Sequence, residues 1–212
     1  MQKIALIDYG SGNVRSVERA LVAAAEQSGR VCDVRLTRDP DFIADAESIV
    51  LPGQGAFAAC MHALQVDAPL LAAMTEAVQI RRAPFLGICV GMQLLMTTGL
   101  EHGEHRGLGW IDGVCRVLET TERLPHMGWN EVTPVRPHPV LDGLAPHRHM
   151  VFMHSYVVEP ANSEAVAAVS HYGARFACAI ARDNMIGVQF HPEKSQTAGL
   201  DLLARFLAWR PA

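Results

Sequence analysis

The amino-acid sequence predicts one α/β domain in three layers, with a mixed, mainly parallel sheet that gains an antiparallel extension in its second half. Three observations lead there. Up to Thr98, short apolar runs without polar alternation, the mark of strands buried on both faces, alternate with segments of helical period. From Gly113 onward the chain turns to strand-like runs joined by tight turns, as in antiparallel hairpins. Half of the 212 residues are apolar and 19% are charged, enough to fill a sizeable core.

Taken in order, Ile4 to Asp8 is a short apolar strand closed by G-S-G-N, and Val14 to Glu26 has helical spacing through Val17, Leu21 and Ala24. Val31 to Leu36 reads as a strand, and Ser48 to Leu51 as another closed by P-G-Q-G. Ala56 to Arg82 is helix-prone, with Pro69 dividing it into two pieces. Pro84 to Ile88 is a buried strand running straight into Cys89, and a helix is expected from Val90 to Thr98. In the second half, Gly113–Leu118, Asn130–Val135, Val151–Val158, Ala165–His171, Phe176–Ala181 and Met185–Phe190 read as strands, several joined by turns such as H-Y-G-A and R-D-N. Thr197 to Trp209 is an amphipathic helix with Leu200, Leu203, Phe206 and Leu207 on one face.

Composition alone rules out little about function. Lys and Arg number 18 against 22 Asp and Glu, a net of -4, which gives no global electrostatic footprint for nucleic acid and leaves only a local basic patch open. The five cysteines are odd in number, scattered and free of C-x-x-C pairs, so neither a disulfide framework nor a Cys-rich zinc site is indicated. Asp8 interrupts the first apolar run too early for a secretory signal, and no stretch approaches the roughly 20 apolar residues of a membrane span. A soluble protein of the reducing cytoplasm is expected. His102, His105, His126, His138, His147, His149 and His171 fall in polar or loop stretches without metal-ligand spacing, so no metal or other cofactor is expected.

The segment G-I-C-V-G-M-Q, residues 87 to 93, carries the chemistry. It places Cys89 between a buried strand and a helix, flanked two positions either side by Gly87 and Gly91, which is the nucleophile-elbow pattern with Cys in place of Ser. Glycine is needed there because the turn that lifts the nucleophile leaves no room for neighbouring side chains. A helix beginning after Cys89 would offer free N–H groups to a thiolate, and the Val90 N–H would face the oxyanion formed on attack. Cys32, Cys60, Cys115 and Cys178 lack such a setting and read as structural.

A thiolate mechanism needs a proton carrier, and V-Q-F-H-P-E-K, residues 188 to 194, supplies one in His191. Glu193 lies two residues on, so in extended backbone stiffened by Pro192 both side chains project to one side. Glu193 would then hold one imidazole nitrogen and leave the other facing Cys89. Taken alone, H-P-E is also compatible with a solvated loop; the pairing with G-x-C-x-G favours catalysis.

Together these segments resemble the triad-type, class I glutamine amidotransferases. D-Y-G-S-G-N-V-R-S-V at 8–17, L-P-G-Q-G-A-F at 51–57, H-M-G-W-N at 126–130 and H-S-Y at 154–156 narrow the resemblance to the glutaminase subunits of imidazole glycerol phosphate synthase. The resemblance implies a flavodoxin-like three-layer fold forming a single amidotransferase domain over residues 1–212. It implies Cys89 as nucleophile, His191 as general acid and base, and Glu193 as its orienter. Glutamine would be hydrolysed to glutamate and ammonia, and a partner cyclase subunit would use the ammonia to make imidazole glycerol phosphate and AICAR in histidine biosynthesis. Backbone at Gln54, Gly55 and Val90 would form the oxyanion hole, and Gly53, Gln93, Ser155 and Tyr156 would bind glutamine. Asn13, Met127, Trp129, Asn130 and Lys194 would lie at the subunit interface or ammonia path. The chain departs from the family in carrying Gln54 where Val is commoner; any residue but proline supplies a backbone N–H, so the second oxyanion donor is retained.

Other readings stay open on sequence alone: a glutaminase subunit of anthranilate, aminodeoxychorismate or pyridoxal phosphate synthesis, a catalytically silent regulator, or a free-standing cysteine hydrolase. The motifs fill the chain from Asp8 to Gln196, which leads us to expect the ammonia-consuming synthase on a separate chain and glutaminase activity that depends on it.

Overall fold

The computed structural model describes residues 1–11, 13–144 and 148–211; Gly12 and His147, both named above, lie outside the described residues. Strand and helix alternate through the first half as β1 (Gln2–Ile7), α1 (Val14–Gln27), β2 (Cys32–Thr37), α2 (Pro40–Asp45), β3 (Ser48–Gly53), α3 (Phe57–Val66), α4 (Ala68–Thr75), β4 (Phe85–Cys89) and α5 (Val90–Gln93). Every residue of β3 and β4 is buried, which is why both read as unbroken apolar runs. The helix-prone stretch divides as Pro69 predicts. The Asp67 carboxylate accepts the Leu70 N–H at 3.3 Å to cap α4, and Pro69 occupies the first turn, where its missing N–H is not needed.

In the first half, two helices differ from expectation. Helix α2 was not anticipated, although Asp39 followed by Pro40 is its start signal: the Asp39 side chain accepts the Asp41 N–H at 3.1 Å. The helix after Cys89 stops at Gln93 rather than Thr98. Its next carbonyls are claimed from outside, Leu94 by the Leu108 N–H at 2.8 Å and Met96 by the Gly109 N–H at 3.1 Å, so the chain leaves the helix.

The second half comprises β5 (Thr98–Gly99), β6 (His105–Arg106), β7 (Gly113–Val117), β8 (His126–Pro134), β9 (Arg148–His154), β10 (Tyr156–Pro160), β11 (Val166–Tyr172), β12 (Ala174–Arg182), β13 (Met185–Val188) and α6 (Gln196–Ala208). The strand order is β2-β1-β3-β4-β13-β12-β10-β7-β5-β6, with β11 pairing β12 and β8, and β8 pairing β9. From β2 to β13 all pairs are parallel, the doubly wound order of a flavodoxin-like sheet. Beyond β13 the strands from β12 to β7 pair antiparallel, as predicted for the second half. The expected strand Val151–Val158 is two strands broken at Ser155, because β9 pairs with β8 while β10 pairs with β7 and β12. Gly173 (φ +66°) and Asp183 (φ +53°) turn the two hairpins at H-Y-G-A and R-D-N.

Helix α1 packs against α6, and α2 and α3 pack against α4, which puts helices around the sheet in two groups. In α6 the buried stripe is Leu202, Leu203, Phe206 and Leu207, with Leu200 only half-buried at its edge. Among the described residues no single helix is long and apolar enough to cross a membrane.

Candidate active site

The strand β4 ends at Cys89, whose backbone is left-handed at φ +55°, ψ -113°. Such a conformation is strained for a residue with a side chain and persists only where the surroundings impose it. Here they do. A Cβ on Gly91 would lie 1.9 Å from the Leu51 carbonyl oxygen, and one on Gly87 would lie 2.6 Å from the Gly91 carbonyl oxygen. The parallel register sets Gly53, at the end of β3, beside Cys89. A Cβ on Gly53 would in turn come within 2.6 Å of the Gly91 nitrogen, so three glycines let β3, β4 and α5 approach closely enough to form the elbow.

Strand β13 is the other neighbour of β4, so the chain leaving it delivers Gln189, Phe190 and His191 to the same end of the sheet. His191 Nδ1 and Glu193 Oε1 are 2.9 Å apart. The expected pairing is present, but not by the expected backbone: Pro192–Lys194 forms a 3-10 turn rather than continuing extended. Proline suits the first position of that turn, and the Ser195 hydroxyl closes it by donating to the His191 carbonyl at 2.6 Å while accepting the Val151 N–H at 2.9 Å. Burial pulls the His191 imidazole down, but hydrogen bonds and charge from Cys89 and Glu193 outweigh it and raise its pKa to about 10. With Nδ1 taken by Glu193, Nε2 is the nitrogen left for Cys89. Cys89 thus sits beside a histidine that its neighbours favour in the charged form, at the start of a helix only four residues long.

A cleft of about 200 Å³ opens on this pair, lined by Gln54, Gly55, Val90, Gln93, Ser155, Tyr156 and Lys194 together with Cys89 and His191. Gly53, expected to contact glutamine, is buried and does not line the cleft. The Gln54 carbonyl accepts a 2.6 Å hydrogen bond from Ser11, on the loop after β1, and Gly55 follows at φ +105°. Just upstream, the buried Tyr9 hydroxyl donates to the Pro52 carbonyl at 2.8 Å.

The family model of glutamine amidotransferase class-I matches residues 5–209. The chain belongs to the class-I glutamine amidotransferase family. Imidazole glycerol phosphate synthase subunit HisH of Caulobacter vibrioides is 50% identical, with 100% of each chain covered. The HisH subunit of Rhodospirillum rubrum is 46% identical over 99% of this chain and 100% of its own. A solved glutamine amidotransferase shares the fold at a TM-score of 0.71 and 16% identity, covering 96% of this chain and 97% of that one.

In this amidotransferase, sequence reasoning missed three groups beside the cleft. Glu101 lines it, and its Oε2 accepts the Phe57 N–H at 2.7 Å. Gln189 is fully buried and donates to the Cys89 sulfur at 3.6 Å; a lone amide inside the apolar run Met185–Phe190 was the signal available. His126 was read as a loop residue but is buried on β8, bonded to His154 at 3.0 Å.

The five residues expected at an interface do not form one group. Met127 and Trp129 stand out of β8 at 63% and 50% exposure, with Met153 opposite Met127 across the ribbon. Lys194 is exposed at the cleft. Asn13 is exposed at the start of α1, where its carbonyl accepts from Ser16 and Val17 while its side chain makes no cap bond. The Asn130 side chain is turned inward, donating to the His171 carbonyl at 2.9 Å and bonded to His126 at 3.1 Å.

Proposed function

We propose that this amidotransferase is the glutaminase subunit of an imidazole glycerol phosphate synthase, that Cys89, His191 and Glu193 are its catalytic triad, and that it passes ammonia to a cyclase subunit in the cytoplasm. Glutamine hydrolysis in histidine biosynthesis follows from the family and from the HisH relatives. The observation that carries the triad is the cysteine elbow facing an imidazole whose far nitrogen is held 2.9 Å from a buried carboxylate.

The chemistry follows from those positions. Cys89 Sγ attacks the side-chain carboxamide carbon of glutamine, and the negative charge moves to the amide oxygen, toward the Val90 N–H and the backbone of Gly53, Gln54 and Gly55. The His191 imidazolium gives its Nε2 proton to the departing ammonia. Now neutral, His191 takes a proton from water, which attacks the thioester and releases glutamate. Ser155 and Tyr156 hold the amino-acid end, and the Glu101 carboxylate in the same cleft suits its ammonium. No step requires a metal or cofactor.

Dependence on a partner has a local basis. The 2.6 Å bond from Ser11 anchors the Gln54 carbonyl, so the loop must break a hydrogen bond before its peptide can turn over. The exposed Met127, Trp129 and Met153 offer the cyclase an apolar face beside the cleft. The test is glutaminase turnover with and without the cyclase and its nucleotide ligand. Weak activity alone and a large rise in the complex are expected. A lone chain working at the rate of the complex, or a Cys89→Ala variant that still supports glutamine-dependent synthesis, would overturn the proposal.

A further inference from the structure

Buried polar side chains beside the cleft take no part in the steps above, yet their hydrogen bonds join end to end. His126 lies between aromatic rings, stacked on Phe152 at 4.8 Å and Tyr172 at 4.1 Å. Its Nε2 is 3.1 Å from Asn130 Nδ2, and its Nδ1 is 3.0 Å from His154 Nε2. His154 Nδ1 is 3.0 Å from the Tyr156 carbonyl oxygen. The same oxygen accepts from Gln93 Nε2 at 3.2 Å, and Gln93 Nε2 also donates to Gln189 Oε1 at 3.1 Å. Gln189 Nε2 then points at the Cys89 sulfur.

Donor and acceptor rules leave one assignment. A carbonyl oxygen only accepts, so His154 must carry its proton on Nδ1 and accept on Nε2. His126 must therefore donate from Nδ1 and accept on Nε2. The other end agrees: Asn130 Oδ1 accepts the Glu131 N–H at 2.8 Å, which turns the Asn130 amide N–H toward His126. Because Gln189 Oε1 is taken by Gln93, its N–H rather than its oxygen faces sulfur. A flipped amide would set lone pairs against a thiolate.

We propose that this run, from Asn130 through His126, His154, the Tyr156 carbonyl and Gln93 to Gln189, holds an N–H donor on the Cys89 sulfur, so that His126, His154 and Gln189 are positioning residues for the nucleophile. The proposal rests on Cys89 being that nucleophile. Both imidazoles suit the role because burial lowers their pKa values, to about 4 for His126 and about 3 for His154, and both stay neutral near pH 7. A proton added to either ring would set two N–H donors face to face. The run starts on β8, the strand that also carries Met127 and Trp129, so a shift of that strand reaches the sulfur through hydrogen bonds alone.

Two measurements on the full-length chain test it. In 1H–15N spectra at neutral pH, both His126 and His154 should be neutral with the proton on Nδ1; an Nε2–H tautomer or a cation at either overturns the proposal. Gln189→Glu keeps the shape but sets a carboxylate oxygen on the sulfur, and should lower glutaminase kcat by about tenfold to a hundredfold with KM changed by less than about threefold. His154→Leu should lower kcat by about tenfold, and His154→Asn, whose amide takes the Nδ1 place, should recover most of that loss. If folded Gln189→Glu keeps its kcat while Cys89→Ala abolishes turnover, the positioning run is wrong and the nucleophile stands. Turnover retained by Cys89→Ala overturns both.

Discussion

Cys89 at φ +55° shows how much of the site is backbone geometry enforced by neighbours. Its flanking glycines can be tested for that: Gly91→Ala drives a methyl to 1.9 Å from the Leu51 carbonyl and should destabilise the protein by about 1–3 kcal/mol or more, read as a lower urea midpoint. Glu193→Gln keeps side-chain volume but removes the negative charge that helps raise the His191 pKa to about 10. The NMR titration midpoint of His191 should move down, and glutaminase kcat should fall by about tenfold or more. An unmoved midpoint would exclude Glu193 as the orienter. Cys89, Gly87, Gly91 and His191 were legible as single residues because each chemistry demands one residue type at one spacing. Gln189 and Glu101 were not, since an amide in a strand or a carboxylate in a loop has many ordinary uses.

Among the elements, those with a strong period were legible and those set by competition for hydrogen bonds were not. Helices α1 and α6 and the strands β1, β3 and β4 declare themselves through their buried residues. The end of α5 is decided by Leu108 and Gly109, more than ten residues along the chain, so no local pattern around Leu94 could announce it. The break at Ser155 has a similar origin, in the exchange of partners between β9 and β10. The division at Pro69 was visible because the signal and its cap are adjacent. Asp67→Ala removes that cap, and also an ion pair with Arg38 at 3.1 Å, and should cost about 1 kcal/mol in thermal or urea denaturation.

For the molecule as a whole, buried histidines set an acid limit. His126 and His138 have pKa values lowered to about 4 and His154 to about 3, burial being the main cause in each, against an ordinary 6.5. Below pH 6.5 the unfolded chain therefore binds protons that the folded one refuses, so the contribution of these three rings is full above 6.5 and falls as pH drops toward 4. His191, raised to about 10, acts in the opposite sense: its contribution is full below 6.5 and is lost as pH rises toward 10. Urea midpoints followed across this range should peak near pH 6.5 and decline on both sides. A midpoint that does not fall between pH 6.5 and 5 would contradict the neutral burial of these rings.

The strand order also bears on how the enzyme comes into being on the ribosome. Strands β4 and β13 are sheet neighbours, yet Cys89 and Gln189 are 100 residues apart in sequence, and His191 follows later still. A nascent chain that has already made its elbow has neither the imidazole nor the amide that would face its sulfur. Translation must run through β13 and the turn after it before the thiol can be paired. Fragments that end before residue 191 therefore lack the imidazole and the carboxylate that the proposed triad requires.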